Sequence, residues 1–308
     1  MRVVPLAAES LGVRSMATFV EAAGTSILVD PGASLAAARF GLPPADAEWE
    51  ALRRANDRIS AYAARAEFVF VSHYHDDHYR SDPASYTGRT VVARDPKRLG
   101  GAQGRRGQAL WRALAGQARV TAAEGWTLRE RALELRASPP LPHGPDGTTL
   151  GTVVALTVVD VAERERFVFA SDVLGPLSPV ATAWIIQERP TLLYLSGPPT
   201  YLERALGASA IERAVDNLVR IVETTGCRAI VDHHALRDAR GVARLERVWE
   251  TGRVVTAAGY VGAEETPLES QRAQLWRAVR KPPTRVAGGE RAMMTREPRR
   301  LARGGSTK

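Results

Sequence analysis

Cysteine is nearly absent from this chain: Cys227 is the only one in 308 residues. That scarcity excludes an intramolecular disulfide framework and any zinc site built on thiolates, so a bound metal has to be held by imidazoles and carboxylates. Cys227 follows Gly226 just ahead of an apolar run and reads as a packed thiol rather than a reactive one. Long apolar runs are missing as well. Nowhere do about eighteen apolar residues stand together without a charge, and the opening MRVVPLAAESLG lacks the apolar core of a secretion signal. The expectation is a cytoplasmic protein with no membrane partner. A Gly-x-Ser-x-Gly elbow is also lacking, as is a cysteine beside a histidine, which removes the common covalent nucleophiles. Lysine is scarce too: apart from Lys97, Lys281 and Lys308, all of the 42 basic residues are arginine, a bias that identifies no substrate.

The formal charge of +8 invites a nucleic-acid reading, but its position argues otherwise. Residues 281–308 carry eight basic residues against two acidic ones, six of the eight net charges, so the rest of the chain is near balance. That stretch, KPPTRVAGGERAMMTREPRRLARGGSTK, is rich in Pro, Gly and Arg with no sustained apolar period, the composition of a disordered segment. The reading is therefore one domain over 1–280 and a basic disordered tail over 281–308. Such a tail allows non-specific contact with nucleic acid, while the near-neutral remainder gives that partner little support.

Strand-like runs fill the first seventy residues, at Val3 to Leu6, Ala17 to Glu21, Ser26 to Asp30 and Glu67 to Val71, with Gly24 and Gly32 marking turns. The spacing of Trp49, Leu52, Ala55, Ile59 and Ala63 predicts a helix over 45–66. A second strand-rich stretch follows at Thr90 to Ala93, Ala118 to Thr121, Ala132 to Arg136, Thr152 to Val159 and Arg166 to Ala170, with a helix at Gln108 to Ala115. The two stretches predict two sheets packed together. Helical periodicity returns over 209–225, stopped by Gly226, and a strand follows at Ala229 to Val231. Val242, Leu245 and Trp249 predict one more helix, and Thr266-Pro267-Leu268-Glu269 reads as a capping box opening another through about Val279.

All six histidines lie in three short clusters that follow strand-like or proline-ended segments. The first is Phe68-Val69-Phe70-Val71-Ser72-His73-Tyr74-His75-Asp76-Asp77-His78-Tyr79, an apolar strand running straight into four candidate ligands. Strand-end loops are where sites form. His73 and His75, two apart, point the same way in an extended segment, while Asp77 and His78 need only a turn to reach a second position about 3.5–4 Å from a first metal. Mixed imidazoles and carboxylates suit divalent ions, zinc first, with iron and manganese also compatible.

SHYHDDH resembles the His-x-His-x-Asp-His signature of the metallo-beta-lactamase superfamily. The likeness continues in order through Ile27-Leu28-Val29-Asp30-Pro31-Gly32, Pro142-His143-Gly144, Phe167-Val168-Phe169-Ala170-Ser171-Asp172 and Ile230-Val231-Asp232-His233-His234. Glu9 to Thr18, Gly-Pro-Pro-Thr-Tyr-Leu in the middle and Asp-His-His-x-Leu-Arg-Asp near the end resemble an uncharacterised prokaryotic branch of that superfamily. The resemblance implies an α/β fold, a four-layer αββα sandwich of two mixed sheets with helices outside. It implies that His73, His75 and His143 bind one metal, that Asp77, His78 and His233 bind another, and that Asp172 bridges them. His233 matches the position after the strand better than His234, which then becomes a supporting or substrate-facing group, or the alternative ligand. Asp30 is expected to support the site from behind.

The activity implied is hydrolysis by water activated at a dinuclear centre, with Asp77 also orienting that water, on a small molecule or a phosphoester. Tyr79, Ser196, Thr200, Tyr201 and Arg237 are candidates for substrate contacts, and Arg237 favours an anionic substrate. Other readings are an RNA- or DNA-processing nuclease of the same fold, a non-catalytic metal-binding module and, last, a diiron redox protein. Only 61 residues separate Asp172 from His233, too few for the large inserted domain of some RNA-cleaving branches.

Overall fold

The computed structural model describes residues 1–279 and the backbone pair Met293–Met294. The tail expected over 281–308 lies, that pair apart, outside the described residues. Two sheets face each other. The first contains β1 (Arg2–Pro5), β2 (Thr18–Ala22), β3 (Thr25–Val29), β4 (Phe68–Val71), β5 (Thr90–Ala93) and β6 (Arg119–Ala122), side by side in chain order. The second runs in the same way through β7 (Thr127–Glu130), β8 (Leu133–Ala137), β9 (Leu156–Asp160), β10 (Glu165–Ala170), β11 (Leu192–Ser196), β12 (Arg228–Asp232) and β13 (Val254–Val255). Each sheet begins as an antiparallel meander and continues in parallel, from β3 in the first and from β10 in the second.

Parallel neighbours need crossovers, and the helices supply most of them. Helix α1 (Asp46–Ala63) joins β3 to β4 and α2 (Gly101–Leu114) joins β5 to β6; α3 (Pro179–Glu188) joins β10 to β11 and α4 (Ala208–Thr225) joins β11 to β12. Side chains alternate across each strand. Ile27, Val29 and Phe70 of the first sheet meet Phe167, Phe169, Tyr194 and Ile230 of the second in the central layer. Leu28, Val69 and Val71 point outward onto Leu52, Ile59 and Leu110 of the helices, as Val168, Leu193 and Val231 do onto Ile185, Val215 and Leu218. Both faces of each sheet are covered, which explains why Phe68–Val71 is apolar at every position. The result is the αββα sandwich.

The boundary between the sheets differs from the sequence expectation. It falls between Ala122 and Thr127, so β5 and β6 belong to the first sheet. Helix α2 starts well before Gln108, through Gly101, Gly104 and Gly107, residues of poor helix propensity. Packing overrides that preference: a Cβ on Gly107 would stand 2.5 Å from the Tyr74 ring, and one on Gly104 would meet the Leu99 carbonyl oxygen at 2.3 Å. The run from Thr152 to Val159 is two strands, Thr152–Val153 and Leu156–Asp160. The helix expected around Val242 to Trp249 is two single turns, Gly241–Arg244 and Glu246–Trp249.

The proposed capping box does not form. Helix α5 (Leu268–Ala278) has Pro267 at its N-cap with no side-chain cap. Glu269 instead accepts from Arg14 Nε and Nη2 at 2.5 and 2.6 Å. The same helix buries Arg272, whose guanidinium holds the Glu48 carboxylate of α1 at 2.7–3.1 Å and donates to the Ala36 and Leu42 carbonyls. Among the described residues no helix is long and apolar enough to cross a membrane. Because Arg272→Ala strands a buried carboxylate, it should cost about 3–5 kcal/mol in chemical denaturation, whereas Arg277→Ala on the exposed face of α5 should cost little.

Candidate metal centre

The carboxyl ends of the parallel strands meet at one edge of the sandwich, where doubly wound α/β sheets place their sites. β4 runs out through Ser72 into His73, His75, Asp77 and His78, and this turn is closed by the His78 and Tyr79 N–H groups donating to the His75 carbonyl at 2.9 and 3.2 Å. Gly32 packs directly on that turn: a Cβ would stand 2.4 Å from Tyr79 N and 2.5 Å from His78 N. β10 delivers Ser171 and Asp172. The small hairpin of Leu141–Pro142 with Thr152–Val153 carries His143. β12 ends at Asp232, whose carboxylate accepts from the N–H groups of Ser10, His233 and Ala257 at 3.1, 2.7 and 2.9 Å. That clamp holds His233 at φ 58°, a left-handed conformation for a non-glycine residue, and turns its ring inward.

Eight side chains converge there: His73, His75, Asp77, His78, His143, Asp172, His233 and His234. His73 Nε2 lies 3.0 Å from His75 Nδ1, and Asp172 Oδ2 lies 3.6 Å from His73 Nε2 and 3.4 Å from His143 Nε2. On the other side His78 Nε2 lies 3.3 Å from His233 Nε2, which is 3.4 Å from Asp77 Oδ2 and 3.5 Å from Asp172 Oδ1. Atoms bound at about 2.0–2.1 Å to one tetrahedral ion stand roughly 3.3 Å apart. Buried Asp77 Oδ1, Asp172 Oδ1 and His143 Nδ1 have no hydrogen-bond partner. Asp172 Oδ1 is both unpartnered and at ligand-to-ligand spacing from His233 Nε2, which fits a divalent ion, and the donor set of nitrogen and oxygen suits one.

The surroundings aim these groups. Asp30 Oδ2 lies 2.9 Å from His78 Nδ1, leaving Nε2 to face the centre, and Asp30 also accepts from Ser72 N–H, Ser72 Oγ and Ser171 Oγ at 2.7, 2.6 and 3.1 Å. Asp30 therefore stands behind the cluster. Gln103 Oε1 accepts from Tyr74 N–H at 3.3 Å, and its Nε2 sits 3.2 Å from His75 Nε2, so His75 faces the cluster through Nδ1. Arg237 donates to Glu9 Oε2 and Asp77 Oδ2 at 3.3 and 3.2 Å. Its Nη2 is 3.2 and 2.9 Å from the two ring nitrogens of His233. The two ring nitrogens point apart in the ring plane, so a single atom near both lies against the ring face and leaves the in-plane direction of Nε2 open toward the cluster.

Electrostatics point the same way. Burial pushes His73 and His234 well below the usual imidazole range and His75 down to about 3, leaving their rings neutral. Burial opposes ionisation of Asp77 and Asp172, but the neighbouring His78 charge overrides it and holds both well below the usual carboxylate range. Burial would also lower His78, yet Asp172 and Asp77 drive it strongly up. The carboxylates thus draw positive charge into the centre, which a divalent ion supplies in place of that proton.

A cleft of about 240 Å³ opens onto the cluster, bounded by His75, Asp77, His143, Asp172 and His234, by Arg14, Tyr201 and Arg237, and by Leu150, Leu174 and Leu202. Of the substrate-contact candidates, Tyr201 and Arg237 line it. Tyr79, Ser196 and Thr200 do not. Tyr79 packs edge-on to Tyr74 at 5.5 Å, and Ser196 Oγ donates to the Ser171 carbonyl at 3.0 Å, bracing the loop that carries Asp172. Thr200 lines a neighbouring hollow with Glu203, Arg204 and Arg240. Cys227 is buried, as expected. Sequence reasoning overlooked Glu9, Gln103 and Ser171 as partners of the cluster; Glu9 and Ser171 lay in quoted motifs, with no chemical role attached, and Gln103 lay in none.

Two mixed sheets in an αββα sandwich, with histidines and aspartates gathered at the strand ends, define the metallo-beta-lactamase fold. Two solved structures share it: the metal-dependent hydrolase Tm1679 of the beta-lactamase superfamily, with a TM-score of 0.51, 15% identity and coverage of 83% of this chain and 95% of that one, and the isothiocyanate hydrolase from Delia radicum gut bacteria, with a TM-score of 0.50, 15% identity and coverage of 80% and 94%. No protein-family model matches the chain. Curated relatives match along nearly their whole length. A UPF0282 protein of Thermococcus onnurineus is 40% identical over 293 residues, 89% of this chain and 95% of that protein. One from Aeropyrum pernix is 40% identical over 294 residues, 90% and 99% of the two chains, and one from Methanopyrus kandleri is 38% identical over 293 residues, 89% and 99%. The chain belongs to the UPF0282 family.

Since Asp30 orients His78 without facing the centre, Asp30→Asn should fold normally and weaken metal binding by about 10–100-fold in chelator competition.

Proposed function

We propose that the protein is a metal-dependent hydrolase with a dinuclear centre. His73, His75 and His143 hold one divalent ion, Asp77, His78 and His233 hold the second, and Asp172 is shared, with zinc ahead of iron and manganese. The observation that carries the reading is the convergence on Asp172: its Oδ2 lies 3.3–3.6 Å from the Nε2 atoms of His73, His78, His143 and His234, and its Oδ1 lies 3.5 Å from His233 Nε2, so the one carboxylate stands beside both groups of donors. His233 is preferred to His234 because its Nε2 completes the Asp77 and His78 group. When bound, a pair of divalent ions acidifies water and polarises the bond under attack.

The chain's own groups do the rest. Asp77 has one oxygen held by Arg237 and one unpartnered, so the free one is placed to orient a water. Leu150, Leu174 and Leu202 offer an apolar wall, and Arg237, Arg14 and Tyr201 a polar one, so the cleft accepts a small molecule with an apolar part and an oxygen-rich part. Arg237 and Arg14 are already paired with Glu9, Asp77 and Glu269, which fits a single anionic group better than a polyanion. Small phosphoesters lead the substrate classes; an RNA or DNA strand is the second reading.

Purified full-length protein should carry about two equivalents of divalent metal by elemental analysis, and should hydrolyse a member of a panel of phosphomonoesters, phosphodiesters, lactones and thioesters. His73→Ala and Asp172→Ala should lose metal and that hydrolysis together while keeping the wild-type circular dichroism. Folded wild-type protein that retains no metal after incubation with zinc, manganese and iron would overturn the proposal.

A further inference from the structure

His234 differs from the other cleft histidines in what its second nitrogen does. Its Nδ1 lies 2.7 Å from the Tyr201 hydroxyl, and the two rings stack at 9° with centroids 5.8 Å apart. The same hydroxyl oxygen accepts from Arg237 Nη1 at 3.4 Å. A phenol has one proton to give. With Arg237 donating to the oxygen, the acceptor offered to that proton is His234 Nδ1. The opposite arrangement, with His234 Nδ1–H donating to Tyr201, leaves the phenol proton with no acceptor among the described contacts. In the neutral ring Nδ1 is thus the acceptor and Nε2 carries the hydrogen.

An Nε2–H has no lone pair to give a metal, and Nε2 is the atom that faces the centre. It stands 3.3 Å from Asp172 Oδ2 but out of line for a hydrogen bond, and it is left without a partner. The residue is 7% exposed and forms part of the cleft wall. A buried donor on a cleft wall that makes no hydrogen bond, with only a misaligned carboxylate oxygen beside it, has room for an acceptor from outside.

We infer that His234 is a substrate-contacting donor rather than a metal ligand: its Nε2–H donates to a negatively charged oxygen of the substrate, a phosphoryl or similar oxyanion. Tyr201 is a positioning residue that sets the tautomer, and Arg237 sets the direction of the Tyr201 proton. The inference rests on the metal-centre reading above, since the oxyanion is held against that centre.

The test uses metal-loaded full-length protein with inorganic phosphate as the probe. His234→Ala and His234→Gln should keep the wild-type metal content. Calorimetry should show phosphate binding about tenfold weaker in His234→Ala, equivalent to about 1.4 kcal/mol, and nearer wild type in His234→Gln, which keeps an N–H. Imidazole nitrogen NMR should show His234 protonated on Nε2 in the wild type and a mixture of tautomers in Tyr201→Phe, with metal content unchanged. Loss of a metal equivalent in both His234 variants would make His234 a ligand and overturn the inference. Wild-type protein that holds metal but binds no phosphate, an unchanged phosphate affinity in His234→Ala, or a proton on Nδ1 in the wild type would overturn it too, leaving the metal centre standing. Wild-type protein without metal removes both.

Discussion

Asp172 is a carboxylate buried where the two sheets end, with five imidazole nitrogens within 3.6 Å of its oxygens and one oxygen that no donor reaches. A buried charge is tolerated only when it is compensated. That requirement dictates much of the surrounding architecture. Strands of both sheets terminate at the same edge, His233 is held in a left-handed turn, and Asp30 is drawn into the interior to hold His78 from behind.

Around the cluster lies a second ring of ion pairs that keeps it rigid. Arg237 ties Glu9 to Asp77, Arg14 ties the connection between β1 and β2 to α5 through Glu269, and Arg39 donates to the Arg237 carbonyl at 2.6 Å. Ser10 joins the same system: its N–H donates to Asp232, its Oγ accepts from Ala258 N–H, and its carbonyl accepts from Thr266 N–H. Groups that hold catalytic geometry within a fraction of an ångström need such locked neighbours. Its cations, Arg14, Arg39 and Arg237, are all arginine, whose planar fork makes several directed bonds where a lysine makes point contacts. The scarcity of lysine thus coincides with a fold that uses guanidinium groups as internal braces.

How much of this was legible in the sequence depends on whether the signal is local. The strand from Phe68 to Val71 and its histidine turn were legible because apolar run and donors are contiguous, and His143, Asp172 and the His233-His234 pair were found because the short segments that carry them resemble the metallo-beta-lactamase motifs in order. Partners chosen across the fold left no such trace. Glu269 sits in a convincing capping pattern but is taken by Arg14, some 255 residues away. Tyr79 is next to the donors in sequence and Ser196 lies between Asp172 and His233, yet their side chains face Tyr74 and the Ser171 carbonyl. Helix α3 escaped because its sequence, PVATAWIIQE, is apolar nearly all round and shows no contrast between faces. Gly32 was read as a turn, whereas the fold uses it to let two backbones touch.

The network from Glu9 to Glu269 has a temporal side. Donors from residues 73 to 234 and braces from residues 9 to 269 come together only when both sheets are in place, so the centre is a product of the whole topology and of contacts distant in sequence. Folds dominated by such contacts form late and cooperatively. A chain emerging from the ribosome presents the His73 to His78 cluster long before β12 exists, so at that stage His233 is not there to join it. The full donor set is assembled only once β12 has docked, which, on the proposed reading of the site, puts the choice of metal at the end of folding.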